Sequence, residues 1–119
     1  ALALVSHGLA VTLLPALADG DLDQFGRALT AVQEITGRWF ASAQGGTFAS
    51  GPSRALVRQL GDWGATGVGQ SSWGPTVYGI VAGSEAASRL ADRVREALGS
   101  AGQVFEGPFR SHGARVWRA

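Results

Sequence analysis

The residues richest in chemistry fall in one run, Gly67-Val68-Gly69-Gln70-Ser71-Ser72-Trp73-Gly74-Pro75-Thr76. Glycines let a backbone turn several N–H groups toward one point, which builds a concave anion site without charged side chains. The hydroxyls of Ser71, Ser72 and Thr76 and the amide of Gln70 add donors that can hold phosphate oxygens. Trp73 is costly to expose in a plain turn and can form an aromatic wall. The bland alternative is a hairpin whose Gly67, Gly69 and Gly74 serve only the turn. A second run, Gln44-Gly45-Gly46-Thr47-Phe48-Ala49-Ser50-Gly51, could supply an opposite wall. Bulky Trp39, Phe40 and Phe48 anchor it and set it apart from a flexible linker.

Other chemistries are thin or excluded. The chain has no Lys, so it carries no Walker A loop, and its glycine spacing is not a dinucleotide fingerprint. It has no Cys, which removes disulfides and thiolate metal sites. His7 and His112 have no carboxylate partner nearby in sequence, and no metal-ligand spacing exists. His7 reads as a core or subunit-contact histidine. Asp19, Asp21 and Asp23 suit a helix start, where the dipole favours negative charge. The residues therefore describe a binding surface without a nucleophile–base pair, and no metal ligand is assigned.

The elements that must position these runs follow from periodicity. Residues 2–17 are apolar on most sides and read as a buried helix that Pro15 kinks or ends. Asp21 is placed to cap a helix with Phe25, Leu29, Val32, Ile35 and Trp39 on one face. Gly37 weakens its end. Ser53 can cap a short helix bearing Leu56, Val57 and Leu60. Residues 65–69 and 75–82 read as strands around the glycine-rich loop. An amphipathic helix opens at Ser84, with Leu90, Val94, Ala97 and Leu98 inward. Two last strands are expected at about 103–110 and 114–118. The order predicts an α+β fold, a ferredoxin-like antiparallel sheet with helices packed on one face, in a single domain over residues 1–119.

Length and composition bound the function. A chain of 119 residues with 45% apolar and 16% charged residues is globular. Net charge is +1, and the ten basic residues, all arginine, are scattered, so no basic stripe marks a nucleic-acid binder. The apolar start lacks a basic n-region and meets Pro15 before a spanning length, which argues for a cytoplasmic address and no membrane partner. An apolar helix in an isolated domain invites a homodimer. With no Met, not even at position 1, the chain is expected to be a processed product or a piece cut from a longer protein.

The run from Gly67 to Gly79 resembles the C-terminal signature of β-ribofuranosylaminobenzene 5′-phosphate synthases, members of the GHMP kinase superfamily. The run from Phe40 to Ser50 is similar to a second segment of that family. Leu13-Leu14-Pro15-Ala16-Leu17, Gly20-Asp21-Leu22 and Phe25-Gly26 are similar as well. The resemblance implies the C-terminal, ferredoxin-like domain of an enzyme whose N-terminal domain carries the phosphate loop. It implies condensation of phosphoribosyl pyrophosphate with a 4-substituted benzoate, releasing CO2 and pyrophosphate, in tetrahydromethanopterin synthesis and one-carbon metabolism. Mg²⁺ is implied too, bound mainly through the N-terminal domain and substrate. The implied substrate-binding residues are Gly69, Gln70, Ser71, Ser72, Trp73, Gly74, Thr76, Gln44, Gly45 and Gly46, and this chain alone is expected to be inactive. The competing readings are the C-terminal domain of a GHMP small-molecule kinase and a stand-alone ferredoxin-like regulatory module.

Overall fold

A computed structural model describes residues 2–118. The backbone divides after Ala82 into two units. Each is described by itself.

The first unit opens with one continuous helical rod, Leu2–Asp19. It comprises α1 (Leu2–His7), a π-helical turn (Gly8–Leu13) and α2 (Leu14–Asp19). Pro15 does not end the rod. Proline removes a donor and crowds the preceding turn, and the backbone widens just before it, where the Leu14 N–H donates to the Leu9 carbonyl. Gly20 then stops the helix in a left-handed conformation. The expectation that this helix is buried is corrected. Only Leu13 and Ala16 are buried, whereas Leu2, Leu4, Val11, Leu14 and Leu17 are exposed. The rod meets α3 through its π turn and α2, so only one edge has a neighbour. By length and composition, Leu2–Asp19 is apolar enough to cross a membrane. His7 is exposed, not a core histidine.

Asp21 caps α3 (Leu22–Trp39) as expected, its carboxylate accepting from the Gln24 N–H at 3.1 Å. A short α4 (Ala41–Gln44) and a loop lead to α5 (Pro52–Asp62). Gly51, not Ser53, is the N-cap of α5, with Pro52 in the first turn. Ser53 is buried and donates to the Pro75 carbonyl at 2.9 Å.

β1 (Gly67–Gln70) and β2 (Val77–Ile80) pair antiparallel, with Gly67 opposite Ile80 and Gln70 opposite Val77. Among the described residues the sheet has two strands. The other edge of β1 is covered by a helix. The Val68 N–H donates to the Thr30 hydroxyl at 3.0 Å and the Gln70 N–H to the Gln33 amide oxygen at 3.3 Å. Side chains of α3 thus take the bonds a third strand would make. That approach requires glycine. A Cβ on Gly26 would run into the Thr66 backbone, and one on Gly67 would lie 2.9 Å from the Gly26 Cα. The core of this unit gathers Leu13, Ala28, Leu56, Val57, Leu60 and Val68.

The second unit holds α6 (Gly83–Leu98), with Ala91 and Val94 buried, and a 3-10 turn at Gly99–Ala101. The strands expected at 103–110 and 114–118 are absent, and Phe105, Phe109, Val116 and Trp117 are exposed. Strands stand only when paired into a sheet with a buried face, and among the described residues this segment has neither.

Candidate functional site

The two sequence runs singled out for chemistry meet at one side chain. Gln70 ends β1 and is only 6% exposed. Its amide oxygen accepts from the Ala49 N–H at 2.7 Å. Its amide nitrogen donates to the Gln44 amide oxygen at 3.0 Å and to the Ser72 carbonyl at 2.9 Å. Gln44 in turn donates to the Thr47 carbonyl at 2.8 Å. One buried glutamine therefore ties together two loops about 25 residues apart in sequence. Neutral amides suit the task, because each offers both donors and acceptors and none carries a charge to desolvate.

The hairpin loop spans residues 71–76, shorter than the run read from sequence, because Gly69 and Gln70 lie in the strand. The Ser71 N–H donates to the Thr76 carbonyl and the Gly74 N–H to the Ser71 carbonyl, which closes the turn. Ser72 adopts φ 52°, uncommon outside glycine, and the bond from Gln70 to its carbonyl holds it there. Across the loop, Trp73 and Phe40 meet edge to face, their ring centroids 5.1 Å apart. On the other side Arg54 donates to the Gly45 and Phe48 carbonyls at 2.7 and 3.1 Å. It thereby pins the second loop.

Between these parts lies an open cleft of about 230 Å³. From α3 it takes Gln33, Thr36 and Gly37; from the second run, Phe40, Gln44 and Thr47; from the hairpin, Gln70, Ser72 and Trp73. Gly37 belongs here for packing, since a Cβ there would collide with the Thr47 carbonyl. The sequence reading treated it only as a weak helix end.

Of the residues the sequence singled out, Gln44, Gln70, Ser72 and Trp73 line the cleft. Gly69 packs behind it, where a Cβ would lie 2.5 Å from the Tyr78 hydroxyl and 2.6 Å from the Gln33 Cγ. Ser71, Gly74 and Thr76 form the turn, and Gly45 and Gly46 back onto Arg54. Both amide hydrogens of Gln70 are used within the chain, where the side chain ties the two loops together. Gln33, Thr36 and Thr47 were missed. Gln33 and Thr36 fall at helical spacing with Phe40 and Gln44, and that spacing was the available signal for the first two.

Electrostatically the cleft is neutral: its lining contains no Asp, Glu, His, Lys or Arg. Behind it, burial pushes the Tyr78 hydroxyl above its ordinary value, and a hydrogen bond with Gln33 offsets part of that shift. Arg54 and Arg58 line a different cleft, together with Glu34. Among the described residues no three His, Cys, Asp or Glu side chains group to hold a metal. The lining of the cleft itself offers no carboxylate to Mg²⁺.

Residues 13–100 match the family model described as GHMP kinases C terminal. The chain belongs to this family. The matched stretch holds the rod's end, the cleft, the hairpin and α6. A relative is beta-ribofuranosylphenol 5'-phosphate synthase of Archaeoglobus fulgidus, 36% identical over 76 residues. That alignment covers 64% of this chain and 21% of the relative. The chain thus spans about a fifth of the relative's length. No solved structure matches.

Proposed function

We propose that this chain is the C-terminal, ferredoxin-like part of a synthase that joins a phosphoribosyl group to an aromatic ring. On this reading the substrates are phosphoribosyl pyrophosphate and a 4-substituted benzoate. The observation that carries it is the meeting of both synthase-like runs at Gln70, around one cleft. The relative's name, which specifies a ribofuranosylphenol phosphate product, supports the same chemistry.

The atoms balance without an acid or base. The bond from the ribose carbon to pyrophosphate breaks, with its electron pair leaving on pyrophosphate. The ring carbon bearing the carboxylate bonds to that ribose carbon. Carboxylate departs as CO2, and the electron pair it leaves restores the aromatic ring. No proton moves, which agrees with a cleft lined only by amides, hydroxyls, aromatic rings and a glycine. Mg²⁺, when bound to the phosphates, would stabilise the leaving group. A phosphate-holding N-terminal domain completes the site, so these 119 residues alone do not turn over.

The family's name favours a second reading, a C-terminal domain of a small-molecule kinase. One assay on the complete polypeptide separates the two. With phosphoribosyl pyrophosphate and 4-hydroxybenzoate or 4-aminobenzoate, the synthase releases pyrophosphate and CO2 in equal amounts. Consumption of ATP with no pyrophosphate release would sink the proposal in favour of the kinase.

A further inference from the structure

Three hydroxyl-bearing residues line the cleft and set its ligand apart. Every amide lining it is engaged: Gln33 with the Gln70 N–H and Tyr78, Gln70 with Ala49, Gln44 and Ser72, and Gln44 with Thr47. Thr36, Thr47 and Ser72 also line it, and their hydroxyls make no hydrogen bond among the described residues. Among the described residues no cation lines the space. A carboxylate or pyrophosphate packed against this lining would give up part of its water without a positive partner in return, which is unfavourable. A flat ring with a neutral polar tip meets no such obstacle. It can pack against Phe40 and Trp73 while a hydroxyl or amine exchanges hydrogen bonds with Ser and Thr, which both donate and accept.

We infer that this cleft takes the aryl acceptor tip first: the 4-hydroxyl or 4-amino group points in at Thr36, Thr47 and Ser72. The carboxylate end faces out, toward wherever the phosphoribosyl donor is held. This domain then selects the acceptor and leaves the phosphates to another part of the protein. The inference rests on the synthase reading for the identity of the ring, and on the cleft's own chemistry for its orientation.

Calorimetric titration of the complete polypeptide tests it, with and without pyrophosphate present. Thr36→Val, Thr47→Val and Ser72→Ala each weaken 4-hydroxybenzoate binding about five- to tenfold, the loss of one hydrogen bond. Benzoate lacks the tip, so its affinity and that of pyrophosphate stay within roughly twofold of wild type. The three variants sit on three elements, and a fold defect in one leaves the other two as evidence. Equal weakening of both benzoates, weakened pyrophosphate, or no aryl binding at all overturns the inference. If the pattern appears in a protein that releases no pyrophosphate in the assay, the cleft assignment stands and the synthase reading falls. If the protein is an active synthase but these variants raise only the KM for phosphoribosyl pyrophosphate, the cleft assignment falls alone.

Discussion

Gln70 shows how much one residue can decide when it is buried and neutral. Its side chain makes three hydrogen bonds, and two of them reach a segment more than 20 residues away. Gln70→Leu keeps the bulk but strands the Ala49 N–H and the Gln44 and Ser72 oxygens. The variant is expected to lose about 2–3 kcal/mol of stability in urea unfolding, because the stranded groups bear their desolvation cost. A loss under about 0.5 kcal/mol would mean that water replaces the amide. At this scale the sequence was half legible. Glutamine, serine and tryptophan marked the right stretch by their types. Whether an amide faces a ligand or another amide depends on what folds back over it, and Gln70 faces Ala49, Gln44 and Ser72.

At the scale of elements, the placement of α3 explains the sheet and the cleft together. It lies along the edge of β1, bonding through Thr30 and Gln33, and its far end lines the cleft with Thr36 and Gly37. Two glycines make that approach possible. Gly26→Ala is expected to destabilise by about 1–3 kcal/mol, since its Cβ meets the Thr66 backbone just before β1. Gly61, in α5, has open space around it, and Gly61→Ala should stabilise by about 0.5 kcal/mol through helix propensity. Thermal denaturation of both variants separates packing from propensity, and equal effects would refute the close-approach account. Periodicity located α3, α5, β2 and α6, with the starts of α5 and α6 and both ends of β2 placed to within about two residues. It could not reveal that a helix would take the place of a strand beside β1, because glycine in a helix reads locally as weakness.

Across the first unit, the dominant surface feature is the rod Leu2–Asp19. A row of exposed leucines and valines of this kind is unusual for a free-standing domain, and apolar surface left open to water drives association. The 119-residue chain is therefore expected to self-associate in a concentration-dependent way in sedimentation velocity. Leu4→Gln with Val11→Gln should shift it toward monomer without lowering its melting temperature, because both side chains are exposed. A monomer at every concentration would show that the exposed row is not sticky enough to matter.

Composition and spacing alone established the helices, the hairpin strands, the absence of cysteine and lysine chemistry, and the two runs that carry the family likeness. Those are local properties: a 3.6-residue period, a cap, and a cluster of turn residues each act over a few positions. The tertiary structure alone decided that the runs share one cleft, that Gln70 is a tie, and that the Thr36, Thr47 and Ser72 hydroxyls make no hydrogen bond among the described residues. It also decided that the first helix is covered on one edge only and that residues 103–118 form no strand. Each depends on which surfaces meet, and burial, hydrogen-bond satisfaction and strand pairing exist only between partners brought together from distant parts of the chain.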